Sequence, residues 1–132
     1  MAVGQYGYGK AHVYAGTNTG KIGFLIEGIR LQNNGFKELE DAFGKPADTG
    51  FIRDEWMVKS NWIKRRDDMK NELKLKLTYS AETSNESYLG LTDADFHENP
   101  NQRYSVSQLD RMHNHRASIV ATHVLDVCAH FK

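Results

Sequence analysis

The chain has 132 residues, of which 39% are apolar and 26% are charged, with 17 basic and 17 acidic side chains. This length fits one domain spanning residues 1–132, and 2 Trp, 6 Tyr and 6 Phe exclude the aromatic-poor composition of a disordered chain. A formal net charge of zero excludes the global positive field that marks many nucleic-acid-binding proteins.

Cysteine usage and hydropathy bear on the compartment. The single cysteine, Cys128, excludes an internal disulfide and a tetrathiolate zinc site. Residues 1–6 lack the charged and then apolar run of a signal peptide. The longest apolar stretch is interrupted at Glu27, well short of the ~20 residues that a membrane span needs. We therefore expect a cytoplasmic protein that makes no membrane contact.

The N-terminal third predicts a β-hairpin. Residues 5–15 alternate between large and small side chains, which places one set on each face of a strand. Residues 17–20 form a turn, and residues 21–31 form the second strand. The apolar phase changes at Gly28, where we expect a bulge. The large face of the first strand carries Tyr6, Tyr8, Lys10, His12 and Tyr14.

The middle of the chain predicts two helices and a strand. Residues 36–43 favour a short helix, and residues 55–71 favour a longer one because Val58, Trp62, Met69 and Leu73 fall on one helical stripe. Residues 73–79 then alternate leucine with lysine or threonine, which indicates a half-buried strand. Residues 88–91 are its expected partner.

The last third predicts the longest helix. Ser105 and Gln108 match a capping box, and the apolar positions that follow cover more than half of a helical wheel. A surface helix needs an apolar arc of only ~100°. We therefore predict an α+β fold, in which a small, mainly antiparallel sheet is packed by two main helices, the longest at the C-terminus.

Catalytic and metal-binding templates fail at required positions. The glycine-rich segment 16–21 is one residue short of a phosphate loop and precedes a strand, and the acidic segment at Asp93 lacks three features of a calcium loop. On a helix, His113 and His115 would point apart, and Cys128 would sit among apolar neighbours. We therefore predict no catalytic residue, metal or cofactor.

Two surfaces remain as candidates. The first is an interface formed by the aromatic row and the over-wide C-terminal helix; its residues are Tyr6, Tyr8, Tyr14, Ile119, Leu125 and Phe131. The second is a basic and aromatic cluster interrupted by Asp67, Asp68 and Glu72; its residues are Lys59, Trp62, Lys64, Arg65, Arg66 and Lys70, with Lys74 and Lys76 following.

The sequence therefore favours a non-catalytic structural or protein-interaction subunit that forms a homo-oligomer or binds a protein partner. A component of a viral or phage particle, or a small inhibitor, would fit this description. One alternative is a nucleic-acid-binding module that uses the basic and aromatic cluster. The other is a small hydrolase or ligand-binding enzyme, in which His12, His97, His113 or His123 meets a carboxylate.

Overall fold

A computed structural model describes residues 1–39, 48–66 and 69–127. Five long strands form most of one antiparallel sheet: β2 (Gly9–Asn18), β3 (Ile22–Asn33), β5 (Phe51–Arg66), β6 (Met69–Asn85) and β8 (Arg111–Val127). The short strand β1 (Ala2–Val3) pairs with the start of β2, so the sheet order is β1-β2-β3-β5-β6-β8. Neighbours in the sheet follow one another along the chain, apart from the inserted β4 and β7.

A small lobe lies beside one end of the sheet. It contains the two-residue strands β4 (Glu38–Leu39) and β7 (Gln102–Arg103), which pair in parallel, and helix α1 (Asp93–Glu98). A 3-10 helix at Ser105–Leu109 leads into β8. The hydroxyl of Thr92 caps α1 by accepting a hydrogen bond from the Asp95 amide.

The predicted hairpin is confirmed. Strands β2 and β3 pair without interruption from Gly9 with Gln32 to Asn18 with Gly23. The bulge expected at Gly28 is wrong, because Gly28 pairs in register with Val13. The first strand also begins later than residue 5, because Tyr6 and Gly7 adopt positive φ angles of 55° and 67° that end any extended run.

The predicted α+β class with two main helices is wrong. Residues 55–71 belong to β5 and β6 where they are described, and the expected C-terminal helix is strand β8, preceded by the 3-10 turn. Positions four apart share a face in a helix and also in a strand, so the pairs that suggested helices fit both structures. β-Branched residues are frequent in residues 118–127 and favour the extended form.

Three smaller predictions have different outcomes. Residues 73–79 are extended, with Leu73, Leu75 and Leu77 on one face and the lysines on the other, as predicted. Their partners are β5 and β8, and residues 88–91 form no strand. The helix predicted for residues 36–43 is wrong at Glu38–Leu39, which is strand β4, and its remainder from residue 40 lies outside the described residues.

Candidate functional site: an uncovered apolar face

The strand register sorts the side chains of the five long strands onto two faces. Residues directly opposite each other in an antiparallel pair point to the same side of the sheet. Ile26 pairs with Val58, Val58 with Leu77 and Leu77 with Ile119, so one apolar row crosses four strands. We call the side that carries this row the apolar face and the opposite side the polar face.

The apolar face is exposed. Among the described residues no apolar side chain is buried, and of the sixteen large apolar side chains exposed on the five long strands, fourteen lie on this face. They are Val13, Ile22, Phe24, Ile26, Ile52, Trp56, Trp62, Met69, Leu73, Leu77, Tyr79, Ile119, Leu125 and Val127. At roughly 80 Å² each they present on the order of 1,000 Å², whereas the largest patch on a typical monomer covers about 300–600 Å².

The total surface area gives a second measure of what is uncovered. The chain exposes 9932 Å². A compact monomer of this mass exposes about 7,000 Å², so the excess is about 2,900 Å². Permanent protein interfaces bury about 2,000–5,000 Å² or more over both partners. For two copies the excess is about 5,800 Å², which is above this range, so one contact between two copies would hide most but not all of it.

The polar face is concave. A cavity of about 810 Å³ lies on this side and is lined by residues of all five long strands, from Tyr14 on β2 to Thr122 on β8. A smaller cavity of about 270 Å³ lies on the same side around Glu27 and Arg53.

Both edges of the sheet contain a long stretch without charged residues. Strand β8 is the last strand of the sheet, and β2 is covered by β1 only at Gly9 and Lys10. Residues 117–125 of β8 and residues 11–18 of β2 contain no Asp, Glu, Lys, Arg or Pro. Proteins usually protect a free edge with charges, prolines or bulges. These two edges lack the first two devices, so they are available for pairing with another strand.

The predicted interface residues are divided among several places. Ile119, which is 75% exposed, and Leu125 lie on the apolar face. Tyr14 lies on the polar face beside His12. Tyr6 and Tyr8 precede β2, and the ring centroids of Tyr6 and Phe36 lie 6.2 Å apart. Phe131, like Cys128, lies outside the described residues. The sequence reasoning missed the centre of the face, at Ile26, Trp56 and Leu77.

The predicted basic cluster is divided between the two faces. The alternation along β5 places Trp62, Lys64 and Arg66 on the apolar face. Lys59, Arg65 and Lys70 lie on the polar face, together with Lys74 and Lys76. Lys70 lies 3.1 Å and Lys74 3.3 Å from carboxylate oxygens of Glu72. The pKa of the Glu72 carboxyl lies below its usual range, chiefly because of Lys70 and also because of Lys74. Partial desolvation of the carboxyl acts in the opposite direction.

The histidines occupy separate places. His12 Nε2 lies 2.7 Å from Glu27 Oε1 on the polar face. Because β8 is a strand, His113 and His115 share a face, where they hydrogen-bond to Thr83 and Tyr79. His123 lies further along the same face, and His97 lies on α1. Within the described ranges, His, Cys, Asp and Glu side chains form no cluster able to hold a metal ion.

A hydrogen-bonded carboxylate organises the lobe. The Tyr104 hydroxyl donates to Asp95, and the Thr92 hydroxyl donates to the same carboxylate oxygen at 2.7 Å. These two donors, Tyr104 first, hold the pKa of Asp95 below its usual range. The network ties α1 to the segment that leads into β8.

Searches against family models, curated proteins and solved structures found no match to the chain. In the part of the chain that the structure describes, no helix has the length and apolar character needed to cross a membrane.

Proposed function

We propose that the protein is a self-associating structural subunit whose apolar face is covered by further copies of the same chain. The observation that carries this proposal is the alignment of fourteen exposed large apolar side chains on one face of a sheet, with no apolar side chain buried among the described residues. Burial of apolar surface is the main favourable contribution to folding, and this single layer obtains little of it alone.

A second copy is the favoured occupant for two reasons. The formal net charge is zero, so copies repel one another weakly. An identical copy also presents the same apolar face, so two copies can cover one another in a symmetric contact.

Cytoplasmic residence is part of the same proposal. It is supported by the cysteine content of the chain. Disulfides are rare in the reducing cytoplasm, and a chain with one cysteine forms no internal disulfide.

The test compares two adjacent substitutions on β8. Ile119 lies on the apolar face and Val120 on the polar face, and both are more than half exposed. We expect Ile119→Glu to dissociate the assembly in sedimentation velocity, because it would bury a charge at the contact. Val120→Glu adds the same charge one residue away and should leave the assembly size unchanged.

Far-UV circular dichroism accompanies both sedimentation runs. Dissociated Ile119→Glu supports the proposal whether or not its strand signal persists, provided that Val120→Glu remains assembled. If Ile119→Glu assembles like the unchanged chain, or if both variants dissociate to the same extent, the apolar face is not the contact.

A further inference from the structure

The larger cavity on the polar face carries a concentration of positive charge. Segment 59–76 contains seven of the 17 basic residues but only three of the 17 acidic ones. Three of these basic residues, Lys59, Lys74 and Lys76, line the 810 Å³ cavity, where Glu72 is the only acidic residue. A protein with no net charge therefore has a locally basic cavity.

Like charges face each other across β5 and β6. Lys59 pairs directly with Lys76, and Arg65 pairs directly with Lys70. Side chains opposite each other in an antiparallel pair lie ~4.5–5.5 Å apart at Cβ, and like charges in such pairs are destabilising. Within the described residues neither Lys59 nor Lys76 forms an ion pair, whereas Lys70 and Lys74 share Glu72. An anion between Lys59 and Lys76 would relieve their repulsion.

The basic groups follow the strands instead of converging on one point. The row begins in the cavity with Lys59, Lys76 and Lys74, which span only about 7 Å, and continues outside the cavity to Arg65, about 20 Å from Lys59 along β5. A single phosphate group cannot span that distance, but an extended polyanion can. Tyr14 lines the same cavity; its ring centroid lies 5.5 Å from that of His12, and at 72% exposure most of the residue remains accessible for stacking.

From this geometry we infer that the polar face binds single-stranded nucleic acid, with the phosphate backbone running from Lys59, Lys76 and Lys74 toward Arg65 and a base against Tyr14. Positive grooves combined with exposed aromatic rings are how proteins hold single strands without reading sequence. The site lies on the opposite side of the sheet from the self-association contact, so either proposal can fail without the other.

The test measures fluorescence anisotropy of a labelled 20-nucleotide oligo-dT with the full chain at increasing salt. Each phosphate contact contributes about 0.7 to the log–log salt slope for single strands, so the double variant Lys59→Gln/Lys76→Gln should lower the slope by about 1.4. We expect its affinity at low salt to fall at least tenfold. The matched control is Lys10→Gln/Lys21→Gln, which removes the same charge outside the cavity and should bind like the unchanged chain.

Substitution of Tyr14 separates stacking from charge. Tyr14→Ala should weaken oligo-dT binding about tenfold with an unchanged salt slope, and Tyr14→Phe should restore it, because either aromatic ring can stack. Sedimentation of each variant checks that assembly is unaltered. Equal losses in the cavity and control double variants would overturn the inference. So would binding to phosphatidylserine vesicles without binding to oligo-dT, since a lipid surface would then be the anion.

Discussion

Trp56 lies directly opposite Gly28 on the apolar face, and its indole covers the glycine. A Cβ atom added at Gly28 would lie 2.8 Å from Trp56 Cζ3, closer than carbon atoms pack. The glycine therefore provides the space in which one of the two tryptophan side chains of this face lies against the sheet. This relationship explains a glycine in the middle of a long strand, where no bulge occurs.

Replacing Gly28 should displace the indole. We expect Gly28→Val to lower the free energy of unfolding by about 1–3 kcal/mol at fixed protein concentration, the usual effect of overpacking, and to weaken self-association. Denaturant unfolding followed by tryptophan fluorescence measures the first effect, and sedimentation measures the second. The control is Gly90→Ala, where an added Cβ meets nothing within 4 Å. Equal stability of the two variants would show that Trp56 does not need the space at Gly28.

The stability of the fold should depend on protein concentration. If copies cover the apolar face, association stabilises the folded state by mass action, so the thermal midpoint should rise across a hundredfold increase in concentration. Differential scanning fluorimetry or circular dichroism measures this shift. Ile119→Glu should unfold at a lower temperature with a smaller dependence on concentration. A midpoint that stays constant for the unchanged chain would argue against stabilisation by association.

The adjacent variants Ile119→Glu and Val120→Glu should have opposite effects in the two assays. Val120 lines the basic cavity, so a carboxylate there should weaken oligo-dT binding through repulsion of phosphate while assembly persists. Ile119→Glu should dissociate the assembly. Its oligo-dT binding should then show the log–log salt slope expected when one subunit binds one strand. Anisotropy and sedimentation of the same samples check this. Loss of both properties in both variants would mean that the two faces are not independent.

Acid should weaken the lobe through Asp95. Its pKa is lowered in the folded state, so its contribution to stability is present above the ordinary aspartate pKa of ~3.9 and is lost as pH falls through the lowered value. Tyr104→Phe removes the largest cause and should raise the Asp95 pKa, moving this loss to higher pH. Carboxyl NMR titration measures the shift. Tyr88→Phe is the control, because Tyr88 is 73% exposed and outside the network. The same Asp95 titration in both variants would exclude Tyr104 as the cause.

The parts of the fold with unambiguous alternation could be predicted from sequence. The β2–β3 hairpin has a clear turn, and residues 73–79 alternate leucine with lysine or threonine. The helical predictions failed because Val58 and Trp62 are four residues apart, a spacing that keeps side chains together in a helix and in a strand. On β8, apolar residues occur on both strand faces, at Ile119 and Val120 for example, which resembles the wide apolar arc of a helix.

The prediction of the candidate site was only partly affected by the wrong helix assignment. The sequence indicated surplus apolar surface near Leu125, and the structure places that surface on a sheet face instead of a helix. The position of the central residues could not be predicted, because the pairing of Ile26 with Val58 and of Leu77 with Ile119 depends on strand order and register. The basic cavity was hidden for the same reason, since Lys59 and Lys76 meet only across a strand pair.

The most direct test of the central claim is the mass of the unchanged chain in solution, measured by sedimentation equilibrium over a wide range of concentrations. Self-association through the apolar face predicts a multiple of 15.0 kDa that persists to low micromolar concentration. A folded species of 15.0 kDa at high concentration, with the full strand signal in circular dichroism, would contradict it.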